Sequence, residues 1–512
     1  MKKIKLDCCN ASSLIMVLLI IVVFSILGAS FMMMSLSESR MAQRHRMVVL
    51  AFEIAEAGME RTLNDLRQDF INSEDWSDGH INNWEFTPAA GYQPFPDLGD
   101  PNRGDYVTSS NINGGQYSIM LQPEATEFMW IRSTGVYGDA SQTIEVYAQI
   151  KNLSLWGNAI FAGTGGVGGS LINGNVDIRG SVHILGDNLL PTDLAVDLGG
   201  TGEIIGNNYD GMPAALRAKI PALPQVVFNT ELIDTLNAEL RVKNGLIGLN
   251  GAATAGEPDV PGDSDKETID GSYVALGADG YAGNQNINNV HSDNGYDNEY
   301  DLGDAVSFPL LTDPYPNFAG DYYDYFETNG LVISNITHPL SQVELENIDG
   351  SSIFEYGDCD TQPNCLKVDS GNMVIKGMVY IKDADLRLDG AGTMLYSGVG
   401  TILAKQNVAI EMNLETDGNN SFPANILGLM TPGTLTVGSA AQLNIMGLFY
   451  AQTDIVSDMQ TRVLGTFVSN FFDMTGQVPE IYQVPSTVIN LPPGLPGGEP
   501  TRYMSIISWQ RI

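Results

Sequence analysis

The chain has 512 residues, which is enough for several domains, and 43% of them are hydrophobic and 17% are charged. That balance predicts a packed core and argues against global disorder. The formal net charge of −36 argues against a nucleic-acid partner, because phosphate binding needs clustered Lys and Arg.

The N-terminus carries the pattern of a membrane anchor. Three lysines within the first five residues precede an uncharged apolar run over residues 14–34. A membrane span needs ~20 apolar residues, whereas the apolar part of a cleaved secretory signal has only ~7–15, so the run predicts a transmembrane helix. The lysines place the N-terminus in the cytoplasm. We therefore expect residues 1–11 to form a cytoplasmic leader and the bulk of the chain to be exported.

The helical pattern continues beyond the apolar run. Residues 35–70 contain no Pro, and apolar or small residues recur there at three- and four-residue spacing, as they do along one face of a helix. This predicts one helix over residues 12–70, roughly 85–90 Å long at 1.5 Å per residue. A signal anchor followed by a separate coiled segment is the alternative. The helix residues expected to pack on the rest of the chain are Phe52, Ala55, Met59, Leu63 and Leu66.

A second feature of this helix is the residue pattern that follows the span. An Arg-containing turn leads into the segment AFEIAEAGME. With the apolar span before it, this pattern resembles the N-terminal region of type IV minor pilins of the PilX type. The resemblance implies a prepilin that is held in the inner membrane, cleaved at the cytoplasmic edge of the span, methylated, and built into a pilus through helix packing with other pilins. The matching residues are Arg40, Met41, Ala42, Arg44, Ala51, Phe52, Ala55, Glu56, Ala57 and Gly58.

Two parts of that pattern are missing. Such pilins have a Gly–Phe cleavage context and a Glu five residues into the mature chain, and neither occurs in CCNASSLIM or in the span. Cleavage is expected near Ala11 and Ser12, because small residues lie there. Without the Glu, the span avoids the cost of a charge in the membrane but also loses a contact for docking beneath another subunit. This suits a priming or tip position.

Residues 71–154 are predicted to form a loop and then a small antiparallel sheet. Residues 71–116 are rich in Asp, Asn, Gly and Pro, which favour loops. Strand patterns follow at 117–121, 128–136 and 143–150, with the clearest period-two alternation in TIEVYAQI. We expect one face of the sheet to lie on the apolar stripe of the helix.

From about residue 155 the sequence is rich in Gly and Asn and has short strand patterns. Gly followed by an apolar-rich strand recurs in GMVYI, GTILA, GLMTP, GLFYA and GTFVS, at gaps of roughly 18–28 residues that are typical of solenoids. This predicts a parallel β-helix over residues 155–190 and 331–490, with a β-sandwich as the alternative. The fold class is thus α+β: a long membrane-spanning helix with a small antiparallel sheet, then a large mainly β region.

Residues 191–330 are predicted to be an acidic insertion. They include NTELIDTLNAELRVKNG, whose Ile233, Leu236 and Leu240 have the spacing of one helix face. Residues 491–512 are predicted to form a Pro/Gly turn and a terminal strand that covers an edge or returns to the body of the fold.

Two carboxylate tracts in the insertion are candidate metal ligands. Ca²⁺ takes about six to eight oxygens from flexible loops, so the tracts predict a calcium cofactor, although neither has EF-hand spacing and a solvated acidic loop is the alternative. The candidate ligands are Asp263, Asp265, Glu267 and Asp270 in the first tract and Asp293, Asp297, Glu299 and Asp301 in the second.

Cys359 and Cys365 stand in the loop CDTQPNC. Their spacing allows a disulfide in an oxidising compartment. A metal pair is disfavoured, because no other Cys or His lies nearby in the sequence.

Together these features predict a non-enzymatic, minor-pilin-like protein of a type IV pilus or a related secretion pseudopilus. It would act in assembly, priming or tip display, with its exported β domain serving adhesion or capping. We expect a single-pass inner-membrane protein whose bulk is periplasmic or extracellular, also placed at the pilus tip. Its expected partners are other pilins, the inner membrane, and an extracellular glycan or surface receptor. The alternative is a non-cleaved, membrane-anchored surface β-helix protein, either an adhesin or a glycan-processing enzyme.

Overall fold

The structure is a computed structural model. It describes residues 9–72, 93–94, 111–112, 114–125, 128–164, 177–200, 204–228, 231–260, 262, 264–438, 442–457, 459–473, 479–498 and 501–512. The chain divides into two compact units. The first unit combines residues 1–151 with residues 502–512, and the second spans residues 152–501.

The first unit is built from one long helix and a small sheet. Strands β3, β4 and β5 form an antiparallel meander, and β1 and β2 each pair with β3. This confirms the predicted long helix and small antiparallel sheet. The elements are α1 (Cys9–Asn72), β1 (Gln93–Pro94), β2 (Asn111–Ile112), β3 (Gly115–Ala125), β4 (Phe128–Tyr137) and β5 (Ala140–Leu153).

The core of the first unit lies between the C-terminal half of α1 and one face of the meander. Alternate strand residues point at the helix, as the period-two pattern requires. Each large side chain buried in this way contributes about 1.5–3 kcal/mol to stability. The core contains Ile54, Ala55, Met59, Leu63, Leu66, Tyr117, Ile119, Leu121, Met129, Ile131, Ile144, Val146, Ala148 and Met504.

The second unit is mainly strand. Its strands are β6 (Ile160–Ala162), β7 (Asp177–Arg179), β8 (Val182–Ile184), β9 (Leu194–Gly200), β10 (Ile204–Gly206), β11 (Gln225–Phe228), β12 (Glu231–Asp234), β13 (Glu239–Val242), β14 (Leu246–Gly251), β15 (Thr254–Ala255), β16 (Gly271–Val274), β17 (Tyr281–Ala282), β18 (Leu331–Ile333), β19 (Ile353–Tyr356), β20 (Cys365–Asp369), β21 (Asn372–Ile381), β22 (Leu386–Leu388), β23 (Thr393–Ser397), β24 (Val399–Ala404), β25 (Val408–Ile410), β26 (Asn413–Thr416), β27 (Ile426–Thr431), β28 (Thr434–Val437), β29 (Asn444–Ser457), β30 (Arg462–Asp473) and β31 (Glu480–Tyr482). Its helices are α2 (Ala214–Arg217), α3 (Tyr322–Asn329) and α4 (Ser341–Leu345).

Most of these strands stack in parallel along the sides of successive coils, as in a parallel β-helix, whereas β11 and β12 pair antiparallel with each other and β20 pairs antiparallel with β19 and β21. One side runs in spatial order through β18, β21, β24, β27, β29, β30, β6, β8, β13 and β16. A second side runs through β21, β23, β26, β29, β30, β31, β7, β10 and β15. The α+β class with a large region of parallel strands is therefore confirmed.

The spatial order of the coils differs from their order in the sequence. Strand β30, near the end of the unit, pairs in parallel with β6 at its beginning. The coils formed by residues 331–473 therefore come first in space, and those formed by residues 160–282 continue the same stack. Residues 301–330, here called the return segment, connect the far end of the stack to its start. Tyr450 Oη donates a hydrogen bond to Pro309 O at 2.6 Å, so this segment runs against the coils.

The recurring Gly residues lie where neighbouring coils approach most closely. Gly377 pairs with Gly400, and Gly447 pairs with Gly465, in adjacent coils. A Cβ at Gly465 would lie 1.9 Å from Gly447 O, and the backbone there has φ +137°. Only glycine fits such a position.

The structure differs from two sequence-based expectations within residues 191–330. The segment predicted as a helix forms β12 and β13, because Leu240 pairs in parallel with Val182 on one side and Ser272 on the other. Pairing within the stack thus outweighs the local helical spacing. The surrounding residues also supply β9, β10 and β14–β17, so much of the expected insertion belongs to the stack.

The final strand, β32 (Thr501–Arg511), returns to the sheet of the first unit and lies next to β5. The second unit is therefore inserted between two neighbouring strands of the first unit's sheet. The predicted terminal strand thus returns to an edge of that sheet.

Candidate assembly surface

The N-terminal half of α1 is uncovered, and residues 14–34 within it are apolar. Side chains from residue 14 to residue 46 are exposed, and Phe24 and Phe31 are 68% and 70% exposed. Among the described residues this is the one helix long and apolar enough to cross a membrane. An exposed apolar surface of this size marks contact with lipid or with another protein.

The local sequence keeps this half helical without tertiary support. No Pro interrupts α1. Ser30 donates its hydroxyl to Ile26 O at 2.8 Å, so its polar group is satisfied within the helix. Gly28 has no atom outside the helix within 4 Å of a Cβ built on it. The apolar half therefore presents a continuous surface.

The environment of the helix changes at Ala51. Ala51 is fully buried, and a Cβ built on Gly135 of β4 would lie 2.2 Å from Ala51 O. Ser133 Oγ donates to Ala55 O at 2.8 Å, which ties the next turn to the same strand. The absence of a side chain at Gly135 thus lets the sheet begin directly against the helix.

The packing residues expected from the sequence lie on this covered half. Ala55, Met59, Leu63 and Leu66 are buried against the sheet, and Phe52 is partly buried beside them. From Ala51 onward the apolar stripe therefore packs against the sheet of the same unit. No described residue covers the side chains of residues 14–46.

Sequence reasoning missed the partner of Phe52. Trp509 of β32 meets the Phe52 ring edge-on at 6.2 Å, and the Arg511 guanidinium lies 5.2 Å from the Phe52 ring centre. Gln510 Nε2 donates to Glu145 Oε1 of β5 at 2.8 Å. Trp509 and Arg511 are residue types that often pack on aromatic rings, but no local sequence pattern indicated that their partner would be Phe52. The last strand therefore stabilises the point where the helix becomes buried.

The residues at the expected processing site fall in the first turns of the helix. Ala11 and Ser12 belong to α1, which begins at Cys9 among the described residues. Their side chains lie outside the described part of the chain. Cleavage there stays a prediction.

Cys359 and Cys365 form a disulfide with a Cα–Cα distance of 5.3 Å. It closes the turn that leads into β20. Asn364 Oδ1 in the same turn accepts a hydrogen bond from Met378 N at 2.9 Å, and its Nδ2 donates to Asn329 O at 2.8 Å. The loop therefore packs on the strand next to it.

Lys266 links the first carboxylate tract to Asp293 of the second. The buried Lys266 ammonium contacts both Asp270 and Asp293, the latter at 2.7 Å. Burial opposes its charge, but hydrogen bonds to these two carboxylates raise the pKa of Lys266 overall. Glu267 is buried and accepts from Asn208 Nδ2 at 2.8 Å, and burial raises the pKa of Glu267. Asp265 accepts from Ser264 Oγ at 3.3 Å.

Two further carboxylates of the second tract also accept hydrogen bonds from the chain. Asp297 accepts from Ala278 N at 3.1 Å, and Asp301 accepts from Arg241 Nε at 3.2 Å. The Glu299 backbone bridges to Val274. Asp263 lies outside the described residues. Within the part of the chain that the structure describes, no three His, Cys, Asp or Glu side chains are grouped as a metal site. Calcium binding by these tracts stays a prediction.

One long helix, exposed in its first half and covered by an antiparallel sheet in its second, resembles the fold of type IV pilins. Residues 11–60 match the family described as PilX N-terminal. Over the whole fold the chain is similar to the competence-associated pilin ComZ from Thermus thermophilus, with 20% identity and a TM-score of 0.52, covering 91% of this chain and 97% of that one. A comparison with curated proteins gives no match.

Proposed function

We propose that this protein is a minor pilin of a type IV pilus or a related secretion pseudopilus. Its α1 helix anchors it in the inner membrane, with the N-terminus in the cytoplasm, and then packs among the helices of other pilins. The second unit is displayed outside, where it serves adhesion or capping. The role is structural rather than catalytic.

The observation that carries this proposal is the division of α1 at Ala51. Residues 14–34 expose an apolar surface and residues 35–46 an exposed, mainly polar one, whereas the core of the first unit covers the helix beyond Ala51. A helix that served only as a core element would be covered along its length, and one that served only as an anchor would not need to continue into a sheet. The same helix can move from lipid to a bundle of pilin helices, because both environments accept its apolar side chains.

A priming or tip position is the second part of the proposal. It is supported by the absence of an acidic residue between Leu14 and Met34. A carboxylate within the span would require a partner in an apolar environment, and in its absence this subunit has less reason to dock beneath another. Immunogold labelling of pili should place the protein at one end. Labelling spaced along the shaft would contradict a tip position but not membership of the pilus.

Site-specific photo-crosslinking tests the helix-packing role. A photoreactive amino acid at Phe24 or Phe31 should crosslink to other pilin subunits in cells that assemble pili, and mass spectrometry identifies the partner. The matched control is the same amino acid at Ile336, which is 91% exposed in the second unit. Products at Ile336 identical to those at Phe24, or no protein partner at Phe24 in piliated cells, would contradict the proposal.

N-terminal sequencing separates the proposal from a non-cleaved surface anchor. A mature start near Ser12 with a methylated amine supports the pilin, whereas an intact Met1 on the surface-exposed protein supports the anchor. Absence of sugar cleavage is expected for the pilin, whereas measurable cleavage would support the glycan-processing form of the anchor.

A further inference from the structure

A short basic segment follows the apolar run of α1. Residues 40–46, RMAQRHR, contain three of the 25 Lys and Arg residues and no Asp or Glu, although the whole chain has 61 acidic residues. The side chains of Arg40, Arg44 and Arg46 are all exposed. Positive charge is therefore concentrated where the helix leaves its apolar part, on a chain that is otherwise acidic.

Arg40 and Arg44 lie on one face of the helix. Residues four apart are neighbours on a helix surface, so these two side chains are adjacent. Glu38, two residues before Arg40, points to the other side, since each residue advances the helix by about 100°. Neither arginine makes an ion pair or a hydrogen bond within the part of the chain that the structure describes. The pair is therefore a doubly charged surface without a carboxylate partner.

The length of the apolar run places this pair beside a membrane surface. Residues 14–34 extend over about 31 Å, which matches the ~30 Å hydrocarbon core of a bilayer, and the head groups add roughly 5–8 Å on each side. Arg40 and Arg44 lie about 9 and 15 Å beyond Met34 along the helix axis. Helix side chains lean towards the N-terminus, which here means back towards the membrane. Arg40 therefore reaches the head groups, and Arg44 lies within about one screening length of 8–10 Å from them.

We propose that Arg40 and Arg44 together bind the phosphate of an anionic phospholipid while α1 is anchored in the membrane. A guanidinium group donates two parallel hydrogen bonds to a phosphate, and each basic residue near an anionic membrane surface strengthens binding by about 5-fold. A lipid fits better than an acidic protein surface, because the pair lies directly beside the run that the bilayer surrounds. The binding site rests on the proposed function for one point, that α1 spans a membrane, and it adds the class of lipid.

Native mass spectrometry of the purified full chain in a neutral detergent measures this binding. The probes are phosphatidylglycerol and phosphatidylcholine with the same acyl chains, titrated separately. Every protein carries Lys2→Gln, Lys3→Gln and Lys5→Gln, so that the lysines at the opposite end of the span do not bind the anionic lipid. The protein with both arginines should bind phosphatidylglycerol about 5-fold or more tightly than phosphatidylcholine. Equal affinities for the two lipids would overturn the proposal.

Two double variants locate the site. Arg40→Gln with Arg44→Gln should lower the affinity for phosphatidylglycerol by about 10-fold or more and leave that for phosphatidylcholine unchanged. The matched control, Arg46→Gln with Arg61→Gln, removes the same net charge at exposed positions that lie off this face or beyond Ala51, and it should bind phosphatidylglycerol like its parent. An equal loss of affinity in both double variants would overturn the assignment to Arg40 and Arg44.

Lipid binding in detergent and pilin crosslinking in cells are independent measurements. Phosphatidylglycerol binding that depends on the pair, without any pilin crosslink at Phe24, would support the lipid site and contradict the proposed function. Loss of that crosslink in Arg40→Gln with Arg44→Gln, at an unchanged affinity for phosphatidylglycerol, would show that the pair contacts another subunit. That result would overturn the lipid site and leave the proposed function in place.

Discussion

Phe467 of β30 and Ile160 of β6 are partners in one parallel ladder, although they belong to the last and first coils of the second unit in sequence order. Their pairing joins two halves of the stack, residues 160–282 and residues 331–473, that the chain builds in separate stretches. The stability of the unit therefore depends on a contact that forms only when both halves are present.

Replacing Phe467 with Ala should strongly destabilise the second unit. Phe467 is fully buried and meets Phe449 edge-on at 5.4 Å. The loss is expected to be about 3–5 kcal/mol in the free energy of unfolding, because a cavity remains where the ring was. Phe467→Leu, which keeps most of the volume, should cost clearly less. Urea denaturation followed by circular dichroism measures the stability of both variants. Equal denaturation midpoints for the two variants would show that the Phe467 ring does not stabilise the pairing of β30 with β6.

The close approach of two coils at Gly465 leads to a second prediction. Gly465→Ala should destabilise the unit by about 3 kcal/mol or more, because the new Cβ would overlap Gly447 O and the backbone has a positive φ. Gly350→Ala is the control, since Gly350 is exposed and nothing lies within 4 Å of the position that its new methyl group would take. The thermal unfolding midpoint of Gly465→Ala should be several degrees lower than that of Gly350→Ala. A Gly465→Ala protein as stable as the control would show that the coils are not this tightly stacked.

The buried His183 should make stability depend on pH. Its pKa is about 3 in the folded chain, against about 6.5 when unfolded, so the unfolded state binds more protons between these values. Stability is therefore fully present above about pH 6.5 and falls as the pH drops towards 3, by up to about 1.4 kcal/mol per pH unit from this group.

The matched variant for this prediction is His183→Phe, which keeps an aromatic ring beside Phe161 but cannot titrate. Denaturation curves between pH 7 and pH 5 should have a smaller pH slope in this variant than in the wild type. Identical slopes would mean that His183 is not held neutral by the fold.

The two halves of α1 should respond differently to the same kind of change. Met59→Ala should lower the stability of the first unit by about 2–5 kcal/mol, because Met59 is 2% exposed in its core. Phe31→Ala removes a larger side chain but should leave stability unchanged, since Phe31 is 70% exposed. Its effect should appear instead as a smaller amount of protein in sheared pili. Loss of stability in Phe31→Ala would show that this part of the helix is covered by the chain itself.

Lys266 lies between two of the candidate calcium ligands, so calcium binding is best tested by replacing it. Its ammonium group lies between Asp270 and Asp293, so it occupies the position that a cation shared by them would take. We expect Lys266→Met to bind Ca²⁺ more tightly than the wild type, whose affinity should be no better than the millimolar range of weak extracellular sites. Isothermal titration calorimetry compares the two proteins. If neither protein releases or absorbs heat at millimolar Ca²⁺, Asp270 and Asp293 do not form a calcium site.

The local patterns of the sequence were sufficient for part of this fold. The apolar spacing through Met59 and Leu63 predicted the helix and its buried face, because those residues repeat with the period of the helix itself. The Gly-strand phrases predicted parallel coils, and Gly377 and Gly400 are neighbours in the ladder as a repeat requires. Such features depend on residues close together in the chain.

Long-range pairing explains what could not be predicted. The spacing of Ile233, Leu236 and Leu240 favoured a helix, but a strand formed because neighbouring coils supplied ladder partners on both sides of it. The carboxylate of Asp301 suggested a metal, but its partner is Arg241, which lies in a different coil. Nothing local in the sequence signals that the last coil stacks on the first.

If the chain is exported as proposed, the insertion of the second unit between β5 and β32 sets an order of events. Strands β3 to β5 would then cross the membrane first, and the strand that brings Trp509 to Phe52 would follow only after the whole second unit has crossed. The first unit is thus the first to start folding and the last to finish. A subunit whose β-helix has stalled or misfolded would lack the last strand beside its helix. Under the proposed export, a complete sheet in the first unit would therefore indicate that the second unit has been exported and folded.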